Sequence, residues 1–586
     1  MNFNILRRVS RIAAIGAILL SSASCVYINE ELGQNLIPTD QLWDVFNPEA
    51  EVLEDIQLQV ADSLSAYNSS RFTFGSINDP IFGTSIKSTS FTLVPVLDTM
   101  DFGKNTKVRQ FHFTAVRDTL STFIENQEHI IQNVYVSELK VPLDTLALYA
   151  GTFMNPANRE KYLNTEKLIT AGIPVYDGGD SLSFDFSKEF AESVIKRLHN
   201  QPLDSIDLYT KIFPGIYITT DEPIGEGGRI NLFELPIETE ETYVTGNFAE
   251  LKFTADYGER TDVDTSFLFF FGPGDFIEKD SNNIPTQFAF NTSTHQSVEN
   301  GFVENWNNGN KEKLYIEGGS GSKPVITDRE IRDIGTGMLK DNGITNFDEV
   351  VINKASIILP YDLPADFRSL DHYPTILSPT VKLRSEEGGY ITYGGLTDSS
   401  VESEDQGDIN RSVCLYSPDI SHHVQMILNL DANDADFNKN IENYNIWLLI
   451  MHDEIVKEST SSSYDQDLYN SLLYNSYYNN MMYGGYGGYG GYGYGGYGGY
   501  GGYGGYGGYG YGYNNYYNYM LMASMSSSYS TGETSSRNLD KDRYYSNGIL
   551  LHRVSHQRNM TFMQCPHCRN KTYILTFLTS FEQLIL

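Results

Sequence analysis

The chain has 586 residues, with 41 basic and 75 acidic side chains and a net charge of −34. Such a surface repels phosphate backbones, and no local basic patch in the body offsets it, which argues against a nucleic-acid partner. Four cysteines in so long a chain are too few for a disulfide framework.

The first element in chain order is an export signal. Arg7, Arg8 and Arg11 form a positive start, Ile12–Leu20 an apolar stretch, and Ser21–Ser24 a run of small residues ending at Cys25. The apolar stretch is too short for a permanent membrane span. Residues 1–24 are therefore expected to be cleaved. The pattern resembles the lipobox of bacterial lipoproteins, with Ser22 where that motif favours Leu. It implies lipidation of Cys25 and membrane attachment through that lipid. An ordinary secretory signal with a chance cysteine is the plainer alternative. No later run of about 18 apolar residues follows.

Residues 25–50 read as a tether, since Pro38 and Pro48 and mixed polarity oppose a regular element. Glu30-Glu31 resembles the acidic surface-export signals of Bacteroidetes lipoproteins; a plain solvated tether reads equally well. From residue 51 the pattern predicts strands. Leu251–Tyr257 alternates apolar and polar residues. Thr265–Phe271 (TSFLFFF) and Asn445–Met451 (NIWLLIM) read as strands buried on both faces. Ser187–His199 is the exception: Phe190, Ala191, Val194, Ile195 and Leu198 share a helical face, and Ser187 is placed to cap it. The expected fold is mainly β: tandem antiparallel sandwich-like domains with few short helices, plus a disordered Gly/Tyr-rich segment. A composition break at Glu240–Gly246 divides an expected first domain, 51–243, from a second, 244–454.

Leu32–Pro38 (LGQNLIP), Gly75–Gly83 (GSINDPIFG), Leu314–Gly319 (LYIEGG) and Val351–Ala355 (VINKA) resemble blocks of DUF4270, a Bacteroidetes lipoprotein family of unknown function. The resemblance spans roughly residues 30–450. It implies an exported envelope lipoprotein, at the outer membrane on a face left open, and carries no catalytic residues. Physically, Asn78-Asp79-Pro80 and the glycine pairs are turn chemistry.

Residues 455–545 read as a low-complexity insertion. Tyr483–Tyr513 contains 19 Gly and 12 Tyr, with no aliphatic side chain to bury. It is a sticky segment whose rings stack on sugars or aromatics, or a spacer grown by repeat slippage. Residues 546–586 form an atypical basic tail containing Cys565-Pro566-His567-Cys568. That pair invites a redox reading, or a zinc reading with His552 and His556. Neither has the expected surroundings, which leaves a disulfide or an incidental pair.

Other motifs fail on inspection. Gly318–Lys323 lacks the hydroxyl of a phosphate loop, because Pro324 follows the lysine. Asp431–Asp436 with Glu442 departs from a calcium loop at Ala435 and Asp436; Asp398–Asp408 is a second acidic loop. Asp62-Ser63-Leu64, Asp118-Thr119-Leu120, Asp180-Ser181-Leu182 and three further triplets resemble the Bacteroidetes O-glycosylation acceptor. No catalytic, cofactor or metal-binding residue is expected. The reading is a non-enzymatic binding or structural module with envelope-protein or glycan partners. The alternative is a hydrolase on a β-sandwich with dispersed carboxylates.

Overall fold

A computed structural model describes residues 44–46, most of 51–457 and 533–545, and the strands 559–565 and 572–578. Among the described residues strand outweighs helix, 45% against 19%, and the sheets are mostly antiparallel. The chain divides into two compact units. The larger holds Glu51–Gly337 and Ser356–His556; the smaller holds Met1–Ala50, Met338–Ala355 and Gln557–Leu586.

The larger unit is built on three sheets. At the centre of a nine-stranded sheet lie Arg71–Asp79, Gly83–Phe91 and Gly227–Glu234, with Ala289–His295 also paired to Gly83–Phe91. A five-stranded sheet runs Ser181–Asp185, Lys104–Val116, Phe248–Tyr257, Arg260–Phe271 and Leu93–Pro95. Their inner faces meet in a phenylalanine-rich core. Phe271 lies 4.9 Å from Phe91 and 4.7 Å from Phe113, and Phe72 stacks on Phe233 at 4.8 Å. Such rings bury much apolar area and gain further from offset and edge contacts.

The helix Lys188–Leu198 closes one side of this core. Ser187 Oγ accepts the Phe190 N–H at 3.2 Å, and Phe190, Ala191, Val194 and Leu198 are buried. The expected cap and face are both present.

The third sheet has six strands: Ile56–Val60, Ser322–Ile326, Ile446–Lys457, Ile376–Arg384, Ile391–Gly395 and Glu533–Leu539. Asn445–Met451 supplies most of the buried half of the strand Ile446–Lys457. The other half, Met451–Lys457, pairs residue for residue with Glu533–Leu539. The span expected to be low-complexity from 455 to 545 is therefore corrected at both ends. Residues 455–457 and 533–539 are a strand pair, and Asp540, Asp542 and Tyr545 are buried beyond it. The Gly/Tyr run itself lies outside the described residues.

The expected boundary at 240–246 is also corrected. Lys104–Val116 pairs with Phe248–Tyr257, and Gly83–Phe91 with Ala289–His295, so strands from both sides share sheets. The acidic stretch there is a ribbon, Glu238–Glu240 against Tyr243–Thr245. A polar hairpin and a linker carry the same composition.

In the smaller unit, Asp44–Phe46, Val350–Lys354, Asn559–Cys565 and Thr572–Leu578 close on themselves as four strands. Thr572–Leu578 lies within the β-prone run of the tail. Among the described residues, no helix is long and apolar enough to cross a membrane.

Candidate functional site

Strand pairing places Ser85 opposite His295 and Lys87 opposite Ser293. Alternation then points one set of these side chains at the loop Glu317–Ser322. Glu317 is 2% exposed and lies at the centre of a sealed polar cluster. Its Oε1 is 2.7 Å from His295 Nδ1. Its Oε2 accepts from Ser297 Oγ at 2.6 Å and from the Ser322 N–H at 3.1 Å. Ser85 Oγ is 2.7 Å from His295 Nδ1, and Ser293 Oγ is 2.8 Å from His295 Nε2.

Lys323 Nζ donates to the carbonyls of Glu317 and Gly319, the latter at 2.9 Å. Lys87 Nζ donates to the carbonyl of Lys541 at 2.8 Å. Gly319 has φ of +59°, and a Cβ there would meet Lys87 Nζ at 2.3 Å. Only glycine combines that backbone with that approach.

The segment Asp540–Tyr545 seals the cluster from the far end of the chain. Lys541 Nζ donates to the carbonyls of Ser65 and Tyr67. Asp542 accepts from Asn68 Nδ2 at 2.5 Å and from Asn291 Nδ2 at 3.1 Å. Asp540 takes Arg543 Nε at 2.5 Å and the Tyr545 hydroxyl.

Burial alone would push the Glu317 carboxyl up. The positive field and hydrogen bond of His295, the Ser297 hydroxyl and the charge of Lys323 outweigh it and hold Glu317 at about 2. Burial wins at Lys323, which is lowered to about 7 despite Glu317, and at Lys87, which is lowered despite Asp542, Asp540 and Glu317. A second sealed pair joins Asp328 to His423 Nε2 at 3.0 Å; burial raises Asp328 to about 6 against the pull of His423.

Among the described residues, two constellations have the connectivity of an acyl-transfer relay. Ser293, His295 and Glu317 form one, at 5%, 4% and 2% exposure, where no substrate reaches the hydroxyl. Ser183, His112 and Asp185 form the other, on the outer face of the five-stranded sheet. Ser183 Oγ is 3.0 Å from His112 Nε2, and Asp185 Oδ1 is 2.8 Å from His112 Nδ1. That face is open, but a relay also needs donors aimed at the developing oxyanion.

Among the described residues, an open cleft of about 460 Å³ falls within the usual small-ligand range of roughly 300–1,000 Å³. One wall is the turn Asn78–Gly83; the other is the pair of short helices Gln296–Glu299 and Phe302–Asn307. Asp79 Oδ1 fixes the turn by accepting the Ile81 and Phe82 N–H groups at 2.7 and 2.9 Å. Gln296 Oε1 accepts the Thr84 N–H at 2.8 Å and ties the walls together. Ser297, on the helical wall, is the residue that donates to Glu317. The cleft therefore rests on the sealed cluster.

The other expected sites fall as follows. Cys25 and Cys568 lie outside the described residues, and Cys565 ends the strand Asn559–Cys565. Lys323 is folded inward on loop carbonyls. In Asp431–Asp436, carboxylates accept backbone N–H groups of their own turn: Asp431 from Asn433 at 2.8 Å and Asp434 from Asp436 at 3.0 Å. Among the described residues, no three His, Cys, Asp or Glu side chains are grouped to hold a metal. Of the six hydroxyl triplets, Thr119 and Ser181 are exposed and Ser63 half-buried.

The sealed cluster escaped sequence reasoning. Its members are scattered from Asn68 to Asp542, and a lone His or Glu in a β-rich stretch carries no sign of its partner. The turn wall was visible as Asn78-Asp79-Pro80, but the cleft behind it was not. Set against known proteins, the chain matches no family model, no curated sequence and no solved structure.

Proposed function

We propose that this chain is an exported cell-envelope lipoprotein, anchored through Cys25, that acts as a binding or structural module rather than an enzyme. One contrast carries the reading. Among the described residues, the acidic and basic groups whose pKa is moved far by burial and neighbours, Glu317, Lys323 and Asp328, are sealed from solvent, whereas the open cleft is lined mainly by amides and apolar side chains. Catalytic sites place shifted groups where substrate reaches them; here those groups brace the wall of a cleft. The anchor rests on the sequence of residues 7–25 and on the resemblance to envelope lipoproteins.

Screening the full chain against ester, peptide and glycan substrates tests the non-enzymatic half. Turnover abolished by one Asp or Glu substitution would overturn it. Growth with a labelled fatty acid tests the anchor: label should enter the protein and vanish in Cys25→Ala. Label that persists in the variant would refute the assignment.

The exposed relay Ser183–His112–Asp185 favours the hydrolase as a second reading. Hydrolysis of a nitrophenyl ester, lost on Ser183→Ala and unchanged in Ser293→Ala, would establish that reading in place of the first.

A further inference from the structure

We propose that the cleft between the Asn78–Gly83 turn and the helix pair binds a neutral carbohydrate. The inference rests on the binding reading above and names its ligand class.

The hydrogen-bonding inventory of the cleft carries the argument. Gln296 has its carbonyl oxygen occupied by the Thr84 N–H, so it offers an NH2 donor. Asn78 uses its own NH2 on the Gly225 carbonyl at 3.0 Å, so it offers an oxygen acceptor. Asn300 and Asn305 are exposed and line the cleft with complete amides. Glu226 adds a carboxylate, an acceptor for paired hydroxyls. Each sugar hydroxyl donates once and accepts twice, and a lining that interleaves neutral donors with acceptors matches a row of them.

Charge removes the anionic competitors. Among the described residues, no Lys, Arg or His lines the cleft, the carboxylates Asp79 and Glu226 do, and the chain as a whole carries −34. A phosphate or an acidic sugar would enter against that field without a partner. A purely apolar ligand would strand the amides. The half-buried ring of Phe302, edge-on to the sealed Phe82 at 5.6 Å, gives the C–H face of a sugar an apolar surface.

The walls are fixed before any ligand arrives. The turn is pinned by Asp79, the helices by Gln296 on Thr84 and by Ser297 on Glu317. Asn78 and Gln296, each held by its own hydrogen bond, lose little freedom on binding, which is where weak sugar contacts otherwise fail.

The test uses the full chain in detergent and saturation-transfer NMR, backed by calorimetry. The probes are neutral oligomers of glucose, xylose, mannose and N-acetylglucosamine, beside polygalacturonate fragments and chitosan oligomers. At least one neutral series should bind and outcompete both charged ones. Asn300→Ala and Asn305→Ala should each weaken it roughly tenfold, the loss of about one hydrogen bond. Both positions are exposed, so melting should not change. The inference fails if no neutral oligomer binds, if an acidic or cationic oligomer binds more tightly, or if both variants bind as the parent does. Cleavage of a bound oligomer would instead overturn the non-enzymatic reading and leave the carbohydrate assignment standing. An envelope protein captured on this face, with no sugar bound, would do the reverse.

Discussion

Glu317 is ionised where water does not reach it, and its neighbours determine what its removal costs. Breaking a buried pair strands the remaining charge, typically at about 3–5 kcal/mol. Glu317→Gln should lose that much at pH 7, read from urea midpoints. The sign with pH follows from the shift. The folded value, about 2, lies below the ordinary 4.5. The contribution of Glu317 is therefore complete above 4.5 and is lost as pH falls from there through 2. The gap between parent and variant should close over that window; a gap that is constant with pH would refute the assignment. Asp542 offers a counterpart whose side-chain partners are uncharged amides. Asp542→Ala orphans amide donors of Asn68 and Asn291 in the core, at about 1–3 kcal/mol for each. None of this was legible in the sequence, because Ser85, His295 and Glu317 meet only through strand register. The cap at Ser187 was legible, because its partner Phe190 is three residues away.

Elements became readable in proportion to how much of their stability lies in their own side chains. Asn445–Met451 and the helix Lys188–Leu198 bury apolar residues at the period of their structure, and both were placed from the sequence. Glu533–Leu539 (ETSSRNL) shows no such period. It is held by backbone pairing to Met451–Lys457 and by Arg537, whose Nε lies 3.0 Å from Asp453. Its polar composition blended with the insertion before it. Lys457 lies opposite Glu533 in the ladder, with residues 458–532 between them in the sequence. Loop closure grows only as the logarithm of length, so removing Tyr483–Tyr513 should change stability by about 0.5 kcal/mol. Differential scanning calorimetry of that deletion should show nearly unchanged melting. Loss of several degrees would mean that the tyrosines pack on the body. Ending the chain at Lys457 is a different operation. It removes the strand Glu533–Leu539 and the Asp540–Tyr545 seal, and cooperative melting of the larger unit should disappear.

At the scale of the whole molecule, β-rich composition and turn spacing were enough for the fold class. They could not reveal which strands pair, since partners such as Gly83–Phe91 and Ala289–His295 are some two hundred residues apart. A protease cut within 458–532 should leave two fragments that elute together on size exclusion and separate only in denaturant. Separation without denaturant would refute the seal. The same feature sets an order of events during synthesis. Lys87, Lys323 and Glu317 are made early, yet the backbone and carboxylates that complete their enclosure arrive with Asp540–Tyr545. The ribosome must add eighty-eight residues after Lys457 to reach Tyr545. At about 5–20 residues per second, that is roughly 4–18 s of translation. For that interval the nascent body holds charges it cannot yet cover, and its last sheet lacks a strand. Maturation is thereby timed to the arrival of the distal segment.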